Sequence, residues 1–394
     1  MTDAFGGVLD LLAEKTAEDE RRIGVEFPYV TAPDGSWETL PASLSAGYQG
    51  VNWSHGNWFC GFWVGLLTAA YLRTGDDRFL SYARERMTLV APRADDPNTH
   101  DIGFVFYSSA KVLDHVTGES AFREIGLRAA DRLRRRLVTT RSGAYLSSWG
   151  PLDDLRGRAS SAIDTMANIP LLYWAAEAAD DGSYRLAGEA HALKTRDAFI
   201  RPNDSTFHAV EYDTRTGERL RGYTFQGYSD ESDWSRGQAW AIYGYVASAA
   251  ATGKLDYIKL AERLARYWLN RTGEDLVPFW DFDDPAIPNA PRDSAAAAIV
   301  AAALVDLAAL HPSEADGAHW RQVAEDILAA LCRSYVARDG QHRGLLKHGC
   351  YSQPHKIGQD SAVLFGDFYF VEALCSVVMP GRFKPEPARL GGTA

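Results

Sequence analysis

Residues 294–336 read SAAAAIVAAALVDLAALHPSEADGAHWRQVAEDILAALCRSYV. The first part, 294–310, is apolar on every face, with Asp306 as its single charge, and so reads as a helix buried all round. A short SEADG turn follows. Beyond it, 318–336 carries apolar residues at i, i+3, i+4 spacing on one face and Arg, Glu and Asp on the other, the pattern of a half-buried helix. A buried helix, a turn and an amphipathic helix make one hairpin of a two-layer helical assembly.

The same hairpin recurs along the chain. Apolar-all-round segments occupy 58–72, 101–113, 162–176, 234–250 and 361–377, and amphipathic ones follow the turns TGDD, TGES, DDGS and TGKLD at 78–90, 121–137, 184–199 and 257–269. The last apolar segment has no amphipathic partner after it, and the acidic, amphipathic stretch 5–21 has none before it. Pairing the two closes a ring. The expected fold is therefore all-α, an (α/α)6 barrel of six helical hairpins, with 1–394 as a single catalytic domain. A superhelical solenoid would need polar caps at both ends. The linkers 140–158, 201–233 and 274–292 are richer in Gly, Pro, Asp and Trp, and 208–212 with 220–223 around TRTGE reads as a short β-hairpin.

Composition limits the partners. Lys plus Arg number 41 against 52 Asp plus Glu, a net charge of −11, which excludes nucleic-acid and anionic-membrane surfaces as the main partner. Aromatic residues make up 12% of the chain, which fits a ring-lined pocket. Residues 1–22 have no basic start and no long apolar stretch, so neither a secretory signal nor a membrane anchor is expected there. Cys60, Cys332, Cys350 and Cys375 are scattered without CxxC spacing, which predicts reduced thiols, no zinc site and a cytoplasmic protein.

In a barrel of hairpins the inner helices run the same way, so their starts meet at one mouth. Those starts here are His55-Gly56-Asn57-Trp58, Thr99-His100-Asp101, Asp164, the run from Asp230 to Arg236, Arg292-Asp293-Ser294 and Gln359-Asp360-Ser361. Asp at a helix start ordinarily caps orphan N–H groups, the reading favoured for Asp293 and Asp360. Asp164 differs. It lies among Ile163, Met166, Ile169 and Leu171, apolar company that raises a carboxyl pKa toward what a general acid needs. Pro170, six residues on, predicts an irregular helix start there. Asp101 has similar company, with His100 beside it. Either acid can equally be a buried structural Asp held by backbone donors. Trp149, in the loop sequence SSWGP, is placed to stack on a ligand, whereas Trp58, Trp63, Trp174, Trp240 and Tyr243 fit core volume as readily. Arg236, on an apolar helix, needs an anion: Asp233 or a substrate carboxylate.

The segments NWFCGFWVG (57–65), HDIGF (100–104), AIDTMANIPLLYW (162–174), SRGQAWAIYG (235–244), WDF (280–282), RDS (292–294) and GDFYFVEAL (366–374) resemble the unsaturated glucuronyl hydrolases, glycoside hydrolase family 88. The resemblance runs in order from about residue 50 to the last helix, and HDIGF with RGQAW is its specific part. It implies an (α/α)6 barrel that removes 4,5-unsaturated glucuronic acid from oligosaccharides released by polysaccharide lyases. Asp164 matches the family's general acid/base and Asp101 the second acid. Trp58, His100, Trp149, His208, Gln226, Arg236 and Trp240 match residues that line the sugar pocket. The chain departs from the family pattern at Phe225, where His is frequent, and at Phe59-Cys60, where Thr-Asp is frequent. KHGCYSQPHK (347–356) falls where members meet the rest of the oligosaccharide. The implied chemistry is hydration of a vinyl ether, with one titrating carboxyl and no metal or organic cofactor. Rival readings are an unsaturated rhamnogalacturonyl hydrolase, an ordinary inverting glycosidase, a sugar epimerase using His100 and His208, and a noncatalytic sugar-binding barrel.

Overall fold

Inner and outer helices alternate along the chain. The computed structural model describes residues 2–43 and 57–391; His55 and Gly56, read as the opening of the first inner helix, lie outside them. Helix α1 (Thr2–Asp19) is followed by an antiparallel ribbon of β1 (Phe27–Thr31) and β2 (Trp37–Leu40). The first hairpin is α2 (Cys60–Thr74) inside and α3 (Asp77–Val90) outside. The second is α4 (Ile102–Tyr107) with α5 (Ala110–Thr117) inside and α6 (Ser120–Arg134) outside. A ribbon of β3 (Leu137–Thr140) and β4 (Gly143–Leu146) and the short α7 (Leu155–Ala159) lead to β5 (Ser160–Ala162) and a 3-10 turn, Ile163–Ala167. Then α8 (Pro170–Ala178) pairs with α9 (Gly182–Phe199).

β6 (Ala209–Tyr212) and β7 (Arg219–Tyr223) join β5 in a three-stranded antiparallel sheet, so the hairpin read at 208–223 gains a third strand. Helix α10 (Ser235–Thr252) pairs with α11 (Leu255–Thr272), and α12 (Ser294–Leu310) with α13 (Glu314–Ser334). The hairpin of β8 (Gly349–Ser352) and β9 (Ile357–Ser361) precedes the last inner helix, α14 (Leu364–Val378). α1 packs against both α2 and α14 and closes the ring, and Trp63 Nε1 donates to Glu20 Oε1 just beyond α1 at 2.7 Å. The architecture is the (α/α)6 barrel.

The burial pattern separates the layers. In α12 only Ala309 is exposed, whereas α3 buries Phe79, Leu80, Ala83, Arg86, Met87 and Val90 and gives its other side to water. The TG turns end α2, α5 and α10 alike: Gly75, Gly118 and Gly253 adopt left-handed backbone at φ 71°, 70° and 71°, which glycine takes without a Cβ penalty. Among the described residues no helix is long and apolar enough to cross a membrane. The four cysteines are free and buried.

Three expectations for the inner helices are corrected. The segment read as one helix over 101–113 is broken: Ser108 Oγ donates to Phe104 O and Ser109 Oγ to Val105 O, hydroxyls that compete for helix carbonyls, and Ser109 leaves helical geometry. The segment 162–176 starts as strand and 3-10 turn, and its α-helix begins only at Pro170, which suits the first helical position. Asp360 does not cap the last inner helix. It sits in β9 at φ 52°, and its carboxylate pairs with His348 Nδ1 at 2.5 Å. Asp293 does cap α12, accepting from Ala295 N at 3.2 Å.

Candidate active site

One contact brings the two inner-helix acids together. Gly103, two residues past Asp101, lies so close to Asn168 that a Cβ there would stand 2.5 Å from that residue's Cβ and carbonyl oxygen. Asn168 then bridges the segments. Its Oδ1 accepts from Phe104 N at 2.6 Å, and its Nδ2 donates to Asp164 O at 3.1 Å. On the other side Ile163 N donates to His208 O at 2.9 Å, which continues the strand pairing and fixes the chain just before Asp164. Arg136, 1% exposed, ties the neighbouring loops through Ser147 O at 2.7 Å and Gly150 O at 3.0 Å. His100 N donates to Ser148 O at 2.7 Å.

His100 Nε2 thus lies 3.2 Å from Asp101 Oδ1 and 3.8 Å from Asp164 Oδ1. Asp101 Oδ2 accepts from Thr99 Oγ1 at 2.9 Å, while Asp164 Oδ1 is buried with no hydrogen-bond partner among the described residues. Burial raises both carboxyls above the ordinary carboxylate range, and the charge of Asp101 raises Asp164 further. Two neighbouring carboxyls in such a place hold a proton between them near neutrality. Ligand atoms of His100, Asp101 and Asp164 all fall within 4.8 Å of one another. Among the described residues these three donors make a set that a metal with water ligands can use, and the raised carboxyl pKa values make it equally an acid pair. The arrangement reads as an acid pair with a histidine between its members.

The remaining pocket residues divide into two groups. His208 is packed between Phe225 and Trp234, with ring centroids 4.1 and 4.4 Å away. Burial, then the nearby Arg236 charge, pulls its pKa down to about 3, so the ring is neutral. Its Nδ1 lies 2.8 Å from Thr224 Oγ1, and its buried Nε2 has no partner, a polar atom left for a ligand. Half-buried Trp149 stands edge-on to Phe225 at 5.2 Å and to His100 at 6.2 Å. Trp58, also half-buried, stacks on Phe365 at 5.3 Å.

Arg236 and Trp240 are buried. Trp240 is 1% exposed and packs on Phe104, Phe365 and Tyr369. Arg236 finds its anion in Asp293, and neither Asp233 nor an open carboxylate site takes that place. Its terminal nitrogens also donate to Cys350 O at 2.7 Å, Gln226 Oε1 at 2.9 Å and Tyr351 O. Gln226 is thereby held at the pocket by Arg236, and so is β8. Sequence reasoning missed Asn168, Thr165 and Ser148. No periodic or compositional signal pairs 103 with 168 or 148 with 165; only the folded barrel does.

A carboxyl pair under apolar walls at the mouth of an (α/α)6 barrel belongs to the chemistry of glycoside hydrolases, and this chain is one. No family model matches the sequence. Individual proteins do. An unsaturated glucuronyl hydrolase from Bacillus sp. (strain GL1) is 36% identical over 364 residues, covering 91% of this chain and 93% of that protein. An unsaturated chondroitin disaccharide hydrolase from Streptococcus agalactiae serotype III (strain NEM316) is 32% identical over 322 residues, 80% of each. The crystal structure of the unsaturated glucuronyl hydrolase from Bacillus sp. GL1, described as responsible for the degradation of glycosaminoglycan, superimposes with a TM-score of 0.88 at 33% identity and covers 100% of both chains. The chain belongs to the unsaturated glucuronyl hydrolases.

Proposed function

We propose that this enzyme removes a 4,5-unsaturated glucuronic acid from the non-reducing end of lyase-generated oligosaccharides by hydrating the C4=C5 vinyl ether. The carrying observation is Asp164: its carboxyl oxygen is buried and unpartnered, and burial plus Asp101 favours its protonated form. Asp164 donates its proton to C4, which leaves positive charge on C5 shared with the ring oxygen. As carboxylate it then accepts a proton from the water that adds at C5. The C5 hemiketal opens to a ketone and a C1 hemiacetal, and the hemiacetal expels the aglycone alcohol, leaving an aldehyde. One carboxyl serves both steps, unlike the two carboxyls that flank the anomeric carbon in ordinary glycosidases.

Asp101 is assigned the second acid, holding sugar hydroxyls and the charge that keeps Asp164 protonated. His100, the neutral His208 and Gln226 supply polar contacts to the sugar, and Trp58 and Trp149 its walls, with Arg236 and Trp240 supporting them from behind. A single barrel over the described residues supports reading 1–394 as one catalytic domain, and four free buried thiols suit a reducing compartment, here the cytoplasm. The test is an assay on unsaturated disaccharides made by lyases acting on chondroitin, heparin or gellan. Loss of the ultraviolet absorbance of the conjugated alkene, with release of the aglycone sugar, is the expected result. Aglycone release with the absorbance retained would refute the reading.

A further inference from the structure

Behind the acid pair runs a line of buried hydroxyls. Ala162 N donates to Ser148 Oγ at 2.7 Å, Ser148 Oγ lies 3.0 Å from Thr165 Oγ1, and Thr165 Oγ1 lies 2.6 Å from His100 Nδ1. Ser148 and Thr165 are 0% exposed. The first donor is a backbone N–H, which only donates, so Ser148 Oγ accepts there; of the two directions open along the rest of the line, the one that gives the Ser148 proton an acceptor runs to Thr165 Oγ1. Thr165 then sends its proton to His100 Nδ1. A ring nitrogen that accepts carries no proton, so the ring's proton sits on Nε2. Nε2 is the atom 3.2 Å from Asp101 Oδ1.

We propose that Ser148 and Thr165 are positioning residues that hold His100 in the Nε2–H tautomer, so that its N–H faces the Asp101 carboxylate and leaves the catalytic proton on Asp164. The proposal rests on the reading of Asp164 as the general acid. Its logic is a partition of one proton between two carboxyls. Asp101 accepts from Thr99 Oγ1 and has His100 Nε2 3.2 Å away, which favours its charged form, whereas Asp164 Oδ1 accepts nothing among the described residues. Among the described residues, the other charges facing the pair are Arg93, Asp96 and Arg136 on the Asp101 side and Arg236 on the Asp164 side. With the relay cut, His100 is free to place its proton on Nδ1 and turn a lone pair toward Asp101.

The test is nitrogen-detected NMR of the full-length protein labelled at histidine ring nitrogens, with His100 assigned by its loss in His100→Gln. The expected wild-type state is Nε2–H. Thr165→Val, which keeps the volume and removes the hydroxyl, is expected to lose that preference. It should also lower kcat at least about tenfold, because the proton moves to Asp101, leave KM within about twofold, and move the alkaline limb of the pH profile upward, because the pair holds its last proton more tightly. Thr165→Ser restores all three. Nδ1–H in the wild type, or Thr165→Val with kcat within about twofold of wild type, overturns the proposal. Should Thr165→Val not fold, the wild-type spectrum and Ser148→Ala decide. Turnover retained by Asp164→Asn would overturn the acid assignment instead and leave the tautomer measurement standing.

Discussion

Arg236, in the first turn of α10, donates to Asp293, the N-cap of α12, with side-chain exposures of 2% and 0%. An ion pair so buried is held by its full set of hydrogen bonds, and here Gln226 and two β8 carbonyls complete the set. Asp293→Asn therefore leaves a buried guanidinium uncompensated and is expected to destabilise the fold by about 3–5 kcal/mol in denaturant unfolding. Arg236→Lys keeps the charge and loses the planar fork. It should lower stability and raise KM through a displaced Gln226. Unchanged stability and KM in the lysine variant would contradict this reading.

Asp164→Asn preserves shape and removes the proton. Turnover is expected to fall by at least about a hundredfold with the fold intact by circular dichroism. More than about a tenth of wild-type kcat remaining, a loss under roughly 1.4 kcal/mol, would remove Asp164 from the reaction.

The raised carboxyl also writes a pH dependence. In the folded protein Asp164 binds its proton more tightly than in the unfolded chain, so the folded state holds more protons once pH exceeds the ordinary carboxylate value. Stability is accordingly lost as pH rises from the unfolded value of ~4 through the raised folded one. Asp164→Asn should flatten that fall and unfold at a higher temperature than wild type at the alkaline end. The wild-type kcat/KM should decline only at the upper end of that range, around the folded value of about 8, as the acid form is depleted. A variant with the wild-type slope in thermal unfolding across that window would contradict the assignment.

Gly103→Ala tests the staple between the acids. The new Cβ would meet the Asn168 carbonyl at 2.5 Å, a backbone atom that cannot swing aside, so α4 or the 3-10 turn must move. A cost of about 1–3 kcal/mol is expected, with a drop in kcat larger than the stability loss accounts for. Wild-type kcat would show that the spacing of Asp101 and Asp164 does not depend on this contact.

The alternation of buried and amphipathic helices was legible because it reflects burial, and 294–336 displays both kinds in one run. Asp164 was legible for the same reason, an acid where the pattern demands an apolar residue. What the pattern hid was local. The split at Ser108–Ser109 comes from side chains taking helix carbonyls, which apolar periodicity does not register. Arg236 was legible as a buried cation needing an anion, but its choice of Asp293 over Asp233 depends on how the first turns of α10 and α12 face each other. Asp233 instead lies by Thr206, whose N–H donates to it at 3.3 Å. Trp240 matches a pocket position and packs among Phe104, Phe365 and Tyr369, contacts that the sequence pattern does not display.

The most direct test of the central claim is turnover of an unsaturated disaccharide in heavy water, followed by NMR of the released acid. Protonation of C4 by Asp164, exchanged with solvent, must leave one stereospecifically placed deuterium at C4, read early in turnover because C4, beside the C5 ketone, also exchanges by enolisation. The predicted result is deuterium at C4 in the product and little or no cleavage of the matching saturated uronoside. A product without deuterium at C4, or a saturated uronoside cleaved as readily as the unsaturated one, would contradict hydration of the double bond and make the enzyme an ordinary glycosidase.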